Sequence, residues 1–473
     1  MPIFERSSRI PFDRQWLYDY HAAPGAIHRL IPPWERVEIL QRGDSLSVGT
    51  EVVLAHSLFG LRIRWRARHT KLDEPCGFQD VQIEGPFEKW IHDHQFVCDG
   101  ENASRLIDRV EYETRFGAVG RLAVPWIESK LSSMFAYRHQ TTIADLLLKQ
   151  YIEQKIGARR LRIAVTGSSG MIGRRLVDLI AVLGHTPIRI VRRSSIGRAE
   201  DYPINVASVI WDAQTGFENT ELMDGLDAVI HLSGQGIASS RWTPAYKESI
   251  YRSRVDATQK LVEDFANLPT PPRALVCASG VGIYGEQGDK RLDEAAAYGS
   301  DFLATLASAW EAAAMEFRKT GGRVAMGRLG MVLHPRFGAL GKLIPPFRWG
   351  VGGKFGPGTQ YWSWIHVDDA TAAFLAISVM EDWEGAFNLV APESLTNKEF
   401  SRILGHSLNR PHWMGIPSSI LRGLLGEMAD VMLLSSVRAE CSRLQQLGFP
   451  FRSRDLDSCL RHLLGIGSRA ANQ

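Results

Sequence analysis

At 473 residues the chain exceeds one ordinary core, so two or three domains are expected. Hydrophobic content of 45% and charged content of 23% fit a soluble globular protein, and a net charge of +3 with dispersed arginines excludes a basic stripe for nucleic acid. Five scattered cysteines without a Cys-x-x-Cys pair argue against a disulfide framework or zinc cluster, and no apolar run reaches the ~20 residues of a membrane helix.

The chain opens Met1-Pro2-Ile3-Phe4-Glu5-Arg6, with a charge pair and no apolar signal core, so the expected location is cytoplasmic. Short stretches of residues 1–150 then alternate apolar and polar positions: Leu46–Val52, Ile63–Arg68, Phe78–Ile83 and Leu106–Tyr112. Period-two alternation bounded by Gly, Asp and Pro predicts antiparallel strands with one buried face. From about Pro125 the period changes, and Ile127, Leu131, Phe135 and Leu146 to Leu148 are spaced to cover one face of a helix. An antiparallel sheet closed over one long helix is an α+β grip. His92 and His94 share a strand face, but a metal site needs three or four ligands and no third is apparent on that face nearby, so no metal is expected.

Gly85-Pro86-Phe87-Glu88-Lys89-Trp90-Ile91-His92-Asp93-His94, with Asp108-Arg109-Val110-Glu111-Tyr112 and Phe135-Ala136-Tyr137-Arg138-His139, resembles the cyclase/START-like (SRPBCC) superfamily. The resemblance covers most of residues 1–150 and implies an apolar ligand cavity between sheet and helix. Residues 151–159 are read as the polar helix tail and a linker.

Leu161-Arg162-Ile163-Ala164-Val165-Thr166 predicts a buried parallel strand, and Gly167-x-x-Gly170-x-x-Gly173 follows at once. A helix is expected from Met171 to Leu183, stopping at Gly184, and then a second strand from Pro187 to Val191. Strand, glycines, helix and strand in this order form the dinucleotide fingerprint: the glycines allow the turn and close backbone approach, and the helix N-terminus offers free N–H groups to phosphate. The predicted cofactor loop is Thr166, Gly167, Ser168, Ser169, Gly170, Met171, Ile172 and Gly173. Arg192 and Arg193 follow the second strand where an NAD-selective domain carries a carboxylate, which favours a 2′-phosphate and so NADP(H). Asp227–Gly234, Ala274–Ser279 and Val324–Gly330 predict further core strands, the first ending in a small-residue turn at Gly234 beside the cofactor. Trp364-Ile365-His366-Val367-Asp368-Asp369 leads into a later helix with Asp as its expected N-cap.

Arg241-Trp242-Thr243, Ser253-Arg254, Trp310-Glu311, Gly338-Ala339-Leu340-Gly341-Lys342, Pro345-Pro346-Phe347-Arg348 and Gly350-Val351-Gly352-Gly353 join these elements. Together they resemble an atypical "epimerase family" branch of the extended short-chain dehydrogenases. Gly405–Pro411 and Gly448–Arg452 resemble that branch's C-terminal DUF1731-like tail. The resemblance implies an α/β Rossmann fold, a doubly wound parallel sheet over 160–395, between the α+β helix-grip domain and a small, mainly helical subdomain over 396–473. It places further cofactor contacts at Leu232, Ser233, Arg254 and Arg328.

The superfamily's Tyr-x-x-x-Lys pair is absent from the helix expected between Asp301 and Thr320, which holds no Tyr and has its lone Lys at position 319. Tyr284 and Ser279 are the substitute candidates for proton donor and substrate orientation, with Lys247 or Lys354 as the activating cation. An aromatic cluster of Tyr361, Trp362 and Trp364 beside Gln360 falls on the expected substrate side. Two functions follow. One is an NADP(H)-dependent oxidoreductase or epimerase acting on a small apolar molecule. The other is a non-catalytic NADP(H)-responsive binding protein. Homo-oligomerisation is left open.

Overall fold

The computed structural model describes residues 1–43, 45–58, 61–115, 117–195 and 206–467. Seven antiparallel strands build the N-terminal sheet: β1 (Ile3–Ile10), β2 (Val37–Gln41), β3 (Glu51–Leu58), β4 (Leu61–Asp73), β5 (Gly77–Glu84), β6 (Phe87–Cys98) and β7 (Ser104–Thr114). Their order is β1-β7-β6-β5-β4-β3-β2. Along β7, Ser104, Leu106, Asp108, Val110 and Tyr112 are buried while their alternates are not, so one face is the core face. That alternation puts a carboxylate among apolar side chains.

The helix Val124–Ile156 crosses this face. Ile127, Leu131, Phe135 and His139 recur every fourth residue and are buried, which turns one stripe to the sheet. Pro125 sits in the first turn, where its missing N–H costs nothing, and Gly157 at φ 76° ends the helix. Sheet and helix do not close completely, and a cavity of about 580 Å³ remains between them. The expected strand over Leu46–Val52 is corrected: pairing begins only at Glu51, because Gly49 adopts φ 92° and turns the chain there.

Eight strands form the second sheet, in the order Gly216–Phe217, Ser208–Asp212, Thr186–Val191, Arg162–Thr166, Ala228–His231, Ala274–Gly280, Arg323–Leu329 and Gly385–Leu389. All pairs are parallel except the first. The strand order reverses between Arg162–Thr166 and Ala228–His231, and such a switch point leaves a crevice at the strands' carboxyl ends. A separate apolar core joins Leu340, Phe347, Trp362, Trp364, Phe400 and Leu460 under the C-terminal helices. Trp362 and Trp364 thus serve packing rather than a pocket wall.

A buried ionic cluster ties the three parts together. Arg29 beside the grip sheet reaches Asp145 on the grip helix (2.6 Å) and Asp368 in the Rossmann domain (2.8 Å). Arg175, on the helix after the glycine loop, and Arg452 of the C-terminal part both reach Asp368 at 2.7 Å. Burial alone would raise the Asp368 pKa, but the charges of Arg175, Arg29 and Arg452 outweigh it and hold the carboxyl well below its usual range. This explains a second correction. Asp368 is drawn into the cluster instead of capping its helix, and His366 is the N-cap, accepting from the Asp368 amide at 2.9 Å. Among the described residues no helix is long and apolar enough to cross a membrane.

Candidate cofactor and active site

The glycine loop sits at the switch point. Gly167 takes φ 64°, and a Cβ there would stand 2.9 Å from the Leu232 backbone of the neighbouring strand end. Gly173, on the helix Met171–Val182, lets that helix close on the loop, since a Cβ would meet the Gly167 carbonyl oxygen at 2.2 Å. Ser169 and Gly170 are exposed at the helix N-terminus, where the Gly170 N–H donates to the Gly167 carbonyl at 2.9 Å and tightens the turn. Met171 and Ile172 are half-buried in the first turn.

Thr166 holds the crevice floor rather than a ligand. Its hydroxyl oxygen accepts from the Leu232 and Ser233 amides at 3.1 and 3.2 Å, and its Oγ1 contacts His231 Nδ1 at 2.8 Å. His231 Nε2 in turn meets Thr258 Oγ1 at 3.0 Å, and the Trp310 indole donates to the same oxygen at 2.9 Å. Burial, aided by the Arg254 charge, pushes the His231 pKa down to about 4. A neutral imidazole therefore clamps the two strands at the crevice.

Arg254 packs against Gly234 and over the Trp310 ring, with 5.1 Å from guanidinium carbon to ring centroid. It is 8% exposed and its buried Nη1 has no hydrogen-bond partner. Burial lowers its pKa to about 10, so the group stays charged at neutral pH. A buried cation with a spare donor beside the glycine loop is what an anionic dinucleotide fits. Arg192 and Arg193 are both exposed past the second strand, and Arg193 pairs with Glu218. Arg189, not singled out from sequence, is buried and donates to Ser168 Oγ at 3.3 Å, bracing the loop from below. The segment 196–205 beyond the arginines lies outside the described residues.

The catalytic side is a closed network. Ser279 ends its strand and donates to Glu311 Oε1 at 2.7 Å. Tyr284 is fully buried and donates to Asn388 Oδ1 at 2.7 Å while accepting from Arg328 Nη1 at 2.9 Å. Burial raises the Tyr284 pKa more than Arg328 and Asn388 lower it, leaving it pushed up to about 12.

Arg328 is held by its own chain on every side. Its five donors go to both Glu311 oxygens, to the Tyr284 and Tyr298 hydroxyls and to the Glu294 carbonyl, at 2.7 to 3.0 Å. Nothing remains for a phosphate. Lys247 pairs with Glu427 above Trp242 and Phe302, and Lys354 donates to the Pro357 carbonyl, so neither activates Tyr284. Glu311 and Asn388, the hubs of this network, are not apparent from sequence spacing. Only the Trp310-Glu311 pair within the family resemblance pointed near them.

In the grip domain, His92 and His94 line the cavity. The sheet register sets two carboxylates beside them: Asp80 pairs with His92 across β5–β6, and Asp108 with His94 across β6–β7.

Comparison with known proteins agrees with this architecture. The NAD dependent epimerase/dehydratase family matches residues 163–389. The polyketide cyclase/dehydrase and lipid transport family matches 10–135, and a domain of unknown function, DUF1731, matches 416–463. An epimerase family protein of Mycobacterium bovis is 36% identical over 298 residues, covering 63% of this chain and 96% of that protein. The solved nucleoside-diphosphate sugar epimerase of Corynebacterium glutamicum is 30% identical with a TM-score of 0.78, covering 98% of this chain and 90% of that one. A human epimerase family protein solved with NADPH is 29% identical with a TM-score of 0.56, covering 64% of this chain and 99% of that one.

Proposed function

The chain belongs to the NAD-dependent epimerase/dehydratase family, and from that premise we propose that it is an NADP(H)-dependent oxidoreductase or epimerase. Its substrate would be a small, largely apolar molecule, and the grip domain would bind a hydrophobic ligand in the cytoplasm. The observation that carries this reading is Arg254: a buried, charged donor without a partner, beside a complete glycine loop at the switch point. The exposed Arg192 favours the 2′-phosphate form.

A bound nicotinamide supplies or accepts hydride. The chain's own part is to hold and orient: the Gly167–Gly173 loop receives the pyrophosphate, Arg254 offers charge-assisted bonds, and the His231–Thr166–Thr258 clamp keeps the crevice floor rigid. Ser279 and Tyr284 are the remaining candidates for orienting a substrate and holding a proton.

A second reading rests on a specific observation. The Tyr284 hydroxyl is already bonded on both sides and no lysine accompanies it, which favours a non-catalytic protein that senses NADP(H) occupancy. One experiment separates the two. The purified protein is incubated with NADPH deuterated at the transferred position and with a panel of nucleoside-diphosphate sugars and apolar carbonyl compounds. Deuterium in any product supports catalysis and excludes the sensing role. Tight NADPH binding with no label transfer across the panel favours sensing, and failure to bind either NADPH or NADH overturns both.

A further inference from the structure

We infer that the floor of the grip cavity is a divalent transition-metal site whose protein ligands are Asp80, His92 and His94. The inference is independent of the cofactor reading, since it concerns the other domain.

The geometry begins with register. His92 and His94 stand two apart on β6 and project to the same face. Asp80 lies opposite His92 on β5, so three ligating groups converge and their ligand atoms all lie within 4.8 Å of one another. Asp80 Oδ2 is 3.4 Å from His92 Nδ1 and 3.4 Å from His94 Nε2. That spacing is long for a charge-assisted hydrogen bond, which favours about 2.7–2.9 Å. It matches ligands around an ion: with bonds of about 2.1 Å, tetrahedral neighbours stand about 3.4 Å apart.

The far side of each imidazole faces a second carboxylate. Asp108 Oδ1 is 2.9 Å from His92 Nε2 and 2.7 Å from His94 Nδ1, the second contact too bent to count as a hydrogen bond. Its other oxygen meets His139 Nε2 at 2.7 Å, and His139 Nδ1 rests on Ser8 Oγ at 2.8 Å. One buried carboxylate thus bonds the outer nitrogen of His92, the arrangement that orients a metal-bound imidazole, and lies close to that of His94. On the inner side, His92 Nδ1 and His94 Nε2 both turn toward Asp80 Oδ2, so three potential donor atoms converge on one point. Two histidines and one carboxylate leave several coordination positions open, and here they face an apolar cavity. His69 lines the same cavity opposite Asp80, buried and with Nδ1 unpartnered. An oxygen-bearing head group on an otherwise apolar ligand would complete the shell.

The test uses the full chain, stripped with a chelator and dialysed against Co²⁺ as the probe. The expected result is one Co²⁺ per chain with visible d–d absorption. Asp80→Ala and His94→Gln should each weaken binding at least about 100-fold, and Asp108→Asn by about 10–100-fold as an orienting residue. His412→Ala, which alters a surface histidine pair, should leave binding unchanged. NADPH binding and circular dichroism report whether each variant is folded. Failure of the wild-type chain to retain Co²⁺ at micromolar concentration overturns the proposal. So does equal retention by folded Asp80→Ala and His94→Gln variants, because the metal would then sit elsewhere.

Discussion

Arg254 and Arg328 lie in the same α/β domain, 8% and 2% exposed, and their surroundings treat the charge in opposite ways. Around Arg328 every donor is matched, and Glu311 supplies a counter-charge at 2.8 Å. Around Arg254 there is a ring face, a glycine and an unmatched Nη1. A saturated buried arginine is fixed by its partners, whereas one with a spare donor leaves a charge-assisted bond unmade. The contrast distinguishes the two more sharply than burial does, because both groups are largely hidden from water.

The largest effect should come from breaking the saturated side. Glu311→Ala leaves Arg328 buried without its partner, and the expected loss is about 3–5 kcal/mol of stability by urea unfolding. An unchanged unfolding midpoint would mean that the Arg328 cluster contributes little to the fold. Next, Arg254→Ala should weaken NADPH by roughly 10- to 100-fold, about 1.5–3 kcal/mol for a bond to a charged group. The same variant should unfold no more easily than the wild type, since it removes an unmatched charge. Titration calorimetry and urea unfolding on one preparation check both halves.

A smaller effect concerns selectivity. Arg192→Ala should narrow the preference for NADPH over NADH by about 1 kcal/mol, and Arg193→Ala by less, because Arg193 already pairs with Glu218. Equal losses in both variants would show that the pair with Glu218 opens on binding. The smallest effect is in pH. Burial pushes the His231 pKa down to about 4 and that of His462 down to about 3, against an unfolded value near 6.5. Between these values the unfolded chain takes up protons that the folded chain refuses. The stability these two groups contribute is therefore complete above about pH 6.5 and falls as the pH drops toward 4. In Arg254→Ala the fall should be shallower, since the charge that helps keep His231 neutral is gone. Urea midpoints from pH 4.5 to 8 measure the slope.

The glycine loop and its helix were legible because they are local. Gly170 and Gly173 meet their steric requirement at Gly167, a few residues away, and the strand before and helix after follow from short-range periodicity. The long grip helix was legible for the same reason, its buried residues recurring at Ile127, Leu131 and Phe135. The strand expected at Leu46–Val52 failed because alternation alone does not register a glycine turn at Gly49. The network around Arg328 was not legible, because its partners Glu311, Tyr284 and Tyr298 are brought together only by the parallel sheet and its flanking loops.

By itself, then, the amino-acid sequence determined that a glycine loop joins the first parallel strand to its helix in a Rossmann domain, and that a grip domain precedes it, since each depends largely on near neighbours in the chain. Tertiary structure decided which buried charges are spent and which are spare. It also decided that Asp80 and Asp108 join His92 and His94, through a strand register that no spacing in the sequence encodes. Ion pairs and ligand sets act through space over a few ångströms, so residues far apart in sequence become partners only once the sheet has aligned them.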